Sequence, residues 1–149
     1  MIKKITVSII LLVFTSNFNL ANSKIFIKAK VNNQIITNVD VKNEKNYLLA
    51  LNPSLRNLSE VNINRYAIDS LINEKIKQIE IEKRFEILQN EKVIKQIIYD
   101  LYSKIGISDL ETFKKYLNNY GINLELVKNK ISIEVAWNDY IVNKFNNVV

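Results

Sequence analysis

The segment Lys30-Val31-Asn32-Asn33-Gln34-Ile35-Ile36-Thr37-Asn38-Val39-Asp40-Val41, KVNNQIITNVDV, decides the fold. Upstream of it, Ile27-Lys28-Ala29-Lys30-Val31 alternates apolar and charged residues, the period-two pattern of a half-buried strand. Asn32-Asn33 tolerates the left-handed backbone that a two-residue turn demands, and Gln34-Ile35-Ile36 returns as the partner strand. Asn38 is then placed to cap a helix, with Asp40 in its first turn set favourably against the helix dipole. The segment therefore spells a small hairpin that feeds directly into a helix.

Outward from this hairpin the chain is helical. The first helix is expected over Val39–Leu51, halted by Pro53 because the residue before a proline avoids helical geometry. A polar linker through Ser59 precedes the longest helix, expected over Val61–Phe85, whose Ile68, Leu71, Ile72, Ile76 and Ile79 recur at three and four. Asn90 caps a helix through Lys104 with Val93, Ile94, Ile97, Ile98, Leu101 and Ile105 on one face, and Gly106 supplies its left-handed stop. Ser108-Asp109-Leu110-Glu111 reads as a capping box for a short helix to about Asn119, which Gly121 ends. Asn123 caps the last helix, carrying Val127, Ile131, Val135, Ala136, Trp137 and Ile141. The fold class is mainly α with a small N-terminal β-hairpin.

Residues 1–23 read as a secretory leader, leaving 24–149 as one domain. Lys3 and Lys4 precede an apolar run from Ile5 to Phe14, and Ala21-Asn22-Ser23 offers small residues where a signal peptidase cuts. The run is too short to cross a bilayer, for which about 20 residues are needed. With no cysteine after it, no lipid anchor is expected, so the expected location is the periplasm with no stable membrane anchor after cleavage. The leader holds two lysines and no acid, so the formal charge of +6 becomes +4 on its removal. Lysines spread along helices point to solvated faces, not to nucleic acid.

The chain has no histidine and no cysteine, which removes Ser-His and Cys-His catalysis, the usual transition-metal ligand sets and any disulfide. Its two glycines, Gly106 and Gly121, stand alone at helix ends, so no glycine-rich loop cradles phosphate. No catalytic, cofactor-binding or metal-ligating residue is expected. Glu74, Glu80 and Glu82 read as a solvated helix face, since each has a basic neighbour and a spacing of two splits Glu80 from Glu82. Tyr99, Tyr102, Tyr116 and Tyr120 at helical spacing read as core or interface, and Trp137 as a core anchor.

The leader, the strand-turn-strand KVNNQIITNVDV, LINEKI (Leu71–Ile76), GISDLETFKKYLNNYGIN (Gly106–Asn123) and KISIEVAWNDYIVNKF (Lys130–Phe145) follow one another in an order that resembles the N-terminal chaperone domain of SurA-type periplasmic folding factors. The resemblance implies an ATP-independent holdase that binds unfolded outer-membrane proteins, as extended aromatic-rich segments, in an apolar cleft of the helical domain. Tyr47, Leu48 and Leu51 on the first helix and Tyr116 and Tyr120 on the short helix are the expected client contacts. Relatives continue into parvulin domains that isomerise Xaa-Pro bonds and into a C-terminal segment that packs back on the N-domain. Nothing up to Val149 resembles a parvulin, so isomerase activity is not carried over. The rivals are a partner chain that supplies the missing segment, a truncated product of a longer isomerase, a structural subunit docking one partner, and an enzyme working with carboxylates or tyrosine.

Overall fold

The computed structural model describes residues 24–83 and 90–145. The expected leader, Phe85 at the expected end of the longest helix, and Val149 lie outside these residues. Among the described residues a two-stranded antiparallel hairpin is followed by five α-helices, the mainly helical architecture expected. The elements are β1 (Ile27–Val31), β2 (Gln34–Thr37), α1 (Asn38–Leu51), a 3₁₀ turn (Pro53–Asn57), α2 (Glu60–Glu82), α3 (Glu91–Lys104), α4 (Leu110–Asn119) and α5 (Leu124–Phe145).

The hairpin pairs Val31 with Gln34 across Asn32-Asn33, and of these two asparagines only Asn32 takes the left-handed backbone, at φ 51°. Pairing runs Lys30 to Ile35 and Ala29 to Ile36, then skips Lys28 before Ile27 meets Thr37. That bulge breaks the expected alternation, because an extra residue re-aims the strand. Ile27 is left exposed while Ala29 and Val31 turn toward the helices.

Local chemistry moves two helix starts by one residue. Thr37, not Asn38, caps α1: its hydroxyl accepts from Asp40 N–H while the Asp40 carboxylate accepts from Thr37 N–H at 2.7 Å, a reciprocal capping box. Asn38 instead ties down the arm before β1, its Oδ1 accepting from Phe26 N–H at 2.9 Å. Asp109, not Ser108, caps α4, its carboxylate accepting from Thr112 N–H at 2.9 Å and from the Thr112 hydroxyl at 2.8 Å. A carboxylate is the stronger acceptor for these orphan amides. Ser59, Asn90 and Asn123 cap α2, α3 and α5.

Both glycines sit just past helix ends with positive φ, 79° for Gly106 and 69° for Gly121. Gly106 N–H donates to the Ser103 carbonyl and Ile107 N–H to that of Tyr102, and Gly121 and Ile122 repeat the pattern on Asn118 and Leu117. These paired bonds satisfy carbonyls that a helix end orphans, and the isoleucine that follows each glycine is turned back onto the core.

Two apolar clusters result. The larger gathers Ala50, Ile94, Ile98, Tyr102, Phe113, Leu117, Ile122, Val127 and Ile131 from α1, α3, α4, the loop after it and α5. The smaller joins Ile36, Val41, Ala67 and Leu71 beneath the hairpin. On α2 the buried residues are Ile63, Ala67, Leu71 and Ile81, with Ile68 and Ile72 beside the smaller cluster, whereas Ile76 of the expected stripe is exposed. Trp137 is only half-buried, resting on the Tyr140 ring at 5.5 Å, and is not the expected core anchor. No helix among the described residues is long and apolar enough to cross a membrane.

Candidate functional site

Helix α1 is shared by the two clusters, and a helical turn of 100° per residue separates neighbouring side chains. Tyr47 and Leu51 therefore pack on the larger cluster while Leu48 packs on the smaller. Tyr116 and Tyr120 also lie on the larger cluster, with rings 5.2 Å apart. Arg56 of the 3₁₀ turn donates to both their hydroxyls, at 3.0 and 2.7 Å, and Tyr116 donates to the Ala50 carbonyl at 2.7 Å. Burial, and then the hydrogen bond with Tyr120, push the Tyr116 phenol above its ordinary range. The five expected contacts thus divide between an Arg56-locked tyrosine pair, the two flanks of α1 and, for Leu51, a hollow of about 380 Å³ beside Pro53 and Ile105.

The larger openings lie elsewhere. One cleft, of about 450 Å³, lies where β2, α1, α2 and α5 meet. Ile35, Ile36, Leu71, Leu126 and Ile133 give it apolar walls. In its floor Lys130 of α5 reaches the carboxylates of Glu44 from α1, at 2.6 Å, and Glu74 from α2. Glu44 is 2% exposed and also accepts from the Ser70 hydroxyl at 2.7 Å. Glu74 is thus turned inward, a correction to the solvated-face reading, because α5 brings a cation from 56 residues away to meet it.

Electrostatics at this floor follow from burial. Desolvation disfavours the Lys130 ammonium, but Glu44 and Glu74 outweigh it and hold the lysine above its ordinary range. Its Nζ also lies 4.9 Å from the centre of the Tyr47 ring. Burial, with Glu44, Glu74 and Glu134 adding, pushes the Tyr47 phenol far above its usual value. The triad is consequently a fixed charged strut joining three helices. Among the described residues no group of three or more acids, histidines or cysteines is arranged to hold a metal ion.

A second groove, of about 630 Å³, is floored by Ile98, Tyr99, Tyr102, Leu110 and Leu124 where α3, α4 and the start of α5 meet. Tyr99 and Tyr102 stack edge to face at 5.4 Å, Tyr102 buried and Tyr99 half in solvent. Lys95, Lys114 and Lys128 rim it, one from each helix. Asn123 and Glu125 line both openings, so the cleft and the groove meet over the first turn of α5. Sequence reading missed these walls. The spaced pair Tyr99 and Tyr102 was their one visible sign, since an aromatic three residues from a buried one lies at the margin of its helix's apolar stripe. No family model matches this chain, and no curated protein or solved structure matches it.

Proposed function

We propose that the protein is an ATP-independent holding factor that shields extended segments of unfolded polypeptide, working in the periplasm on outer-membrane proteins. The observation that carries the reading is the cleft beside β2. β2, a strand paired on one side only, contributes Ile35 and Ile36, and Leu71, Leu126 and Ile133 add aliphatic surface among charged and amide side chains, surroundings in which an extended chain can bury alternate side chains and find polar partners. The adjoining tyrosine groove suits aromatic side chains. The reading also draws on the sequence resemblance to SurA-type N-terminal domains. This function asks no bond-breaking step of the chain. Aggregation of an unfolded outer-membrane barrel protein, followed by light scattering, tests it: suppression by a several-fold excess is expected, and its absence overturns the reading.

A second reading, a subunit docked permanently on one partner, is favoured by the exposed Ile25, Phe26, Ile27 and Ile35 around the hairpin. Exposed apolar residues gathered in one place mark interaction surfaces. The two differ in binding pattern. A holding factor binds unrelated unfolded chains weakly, and a subunit gives one tight stoichiometric complex visible by size-exclusion light scattering.

A further inference from the structure

The two openings carry opposite charge. The cleft beside β2 is lined by Asp40, Glu44, Glu74 and Glu125 against Lys75 and Lys130. The tyrosine groove is lined by Lys95, Lys114 and Lys128 against Glu125 alone. They share Asn123 and Glu125, so an acid-rich opening adjoins a lysine-rimmed aromatic one at the first turn of α5.

From this juxtaposition we propose that the two adjoining openings together select extended polypeptide of bipolar charge, with a basic side chain in the cleft and an aromatic residue next to an acid in the tyrosine groove. The inference rests on the holding function and names the class of segment held.

The groove lysines are open to a guest, whereas the buried charges of the cleft act on one through their net field. At the groove, among the described residues, the lysines are bridged along their own helices: Lys95 to Glu91 at 3.1 Å, Lys114 to Glu111 at 2.6 Å and Lys128 to Glu125 at 2.8 Å. The side chains of those acids are 77, 73 and 69% exposed, and pairs so open to water are weak. A guest carboxylate seated over the apolar floor competes with them on favourable terms, since its surroundings are drier. At the cleft, two carboxylates divide one ammonium, so the Glu44–Lys130–Glu74 strut keeps a net negative charge beneath the β2 edge. A like-charged guest residue at either end is repelled, and it is this repulsion that gives selectivity.

The test uses the purified protein and short fluorescent peptides of one alternating apolar sequence. Their ends carry lysine and tyrosine-aspartate, lysine at both ends, aspartate at both ends, or no charge. Fluorescence anisotropy at low salt is expected to show the bipolar peptide binding about tenfold tighter than either like-charged one, a difference of ~1.4 kcal/mol. The advantage shrinks in molar salt, where charges are screened within about 3 Å. The surface variant K95E/K114E is expected to transfer the preference to the doubly basic peptide, and retained circular dichroism reports that it is folded. Equal affinity for all the peptides overturns the bipolar selection while leaving the holding function standing. No binding of any peptide overturns both.

Discussion

The larger cluster is built from four helices and the loop after α4, around a fully buried Phe113, Leu117 and Val127. The smaller has four buried residues and a two-stranded hairpin for a roof. A lone hairpin is marginal in water, so this roof stands only while Ile36 is held against Val41, Ala67 and Leu71. Between the clusters runs the charged strut of Glu44, Glu74 and Lys130. The difference teaches how depth of core goes with kind of opening: the larger cluster is deep and opens only at its margin, in the tyrosine groove, while the smaller is thin and borders the charged cleft.

That contrast can be broken first at Phe113. Phe113→Ala is expected to cost about 4 kcal/mol, because a large cavity opens among helices that cannot collapse onto it. Urea unfolding should show the whole molecule losing stability together. The strut comes next. Lys130→Met strands Glu44 and Glu74 with no cation between them and is expected to cost about 3 kcal/mol. The triple replacement of strut residues by apolar ones of like volume should recover much of that loss, which separates uncompensated charge from lost packing.

Ile36→Ala sharpens the comparison from the other side. It is expected to cost about 2 kcal/mol, and hydrogen exchange should show the loss confined to the hairpin and its neighbours, with amides around Phe113 still protected. If protection at Phe113 falls equally, the two clusters are one cooperative unit. Tyr116→Phe removes the donor to the Ala50 carbonyl near the end of α1 and one acceptor for Arg56, for about 1 kcal/mol by thermal unfolding.

The smallest effect at neutral pH becomes visible only in alkali. Lys130 and Tyr47 both hold their protons more tightly in the folded chain than an unfolded chain does. Their contribution is therefore complete below about pH 10, where unfolded tyrosine and lysine begin to titrate, and is lost as pH rises through the raised folded values. Tyr47→Phe should flatten the decline in stability above that pH and leave stability at pH 7 little changed.

Much of the candidate site escaped sequence reading for one physical reason. Tyr47, Leu48 and Leu51 lie within one turn of α1, and nothing local says that two different clusters divide them. Glu74 carries a basic neighbour in Lys75, which made a solvated face the natural expectation, yet its partner is Lys130, three helices further on. Lys95, Lys114 and Lys128 likewise become a rim only when three helices meet.

What the chain determined unaided is where its elements begin and end. Left-handed backbone at Asn32, Gly106 and Gly121, and caps at Ser59, Asn90 and Asn123, are settled by side chains within a few residues of each turn, so local chemistry suffices. Even the displaced starts at Thr37 and Asp109 moved by a single position, between adjacent polar residues that can both cap. Which faces the helices bury, which acids go inside, and where space is left open were decided only by tertiary structure. Those outcomes depend on groups far apart in sequence sharing one desolvated volume, where a charge is tolerated only if a distant element brings its counterion.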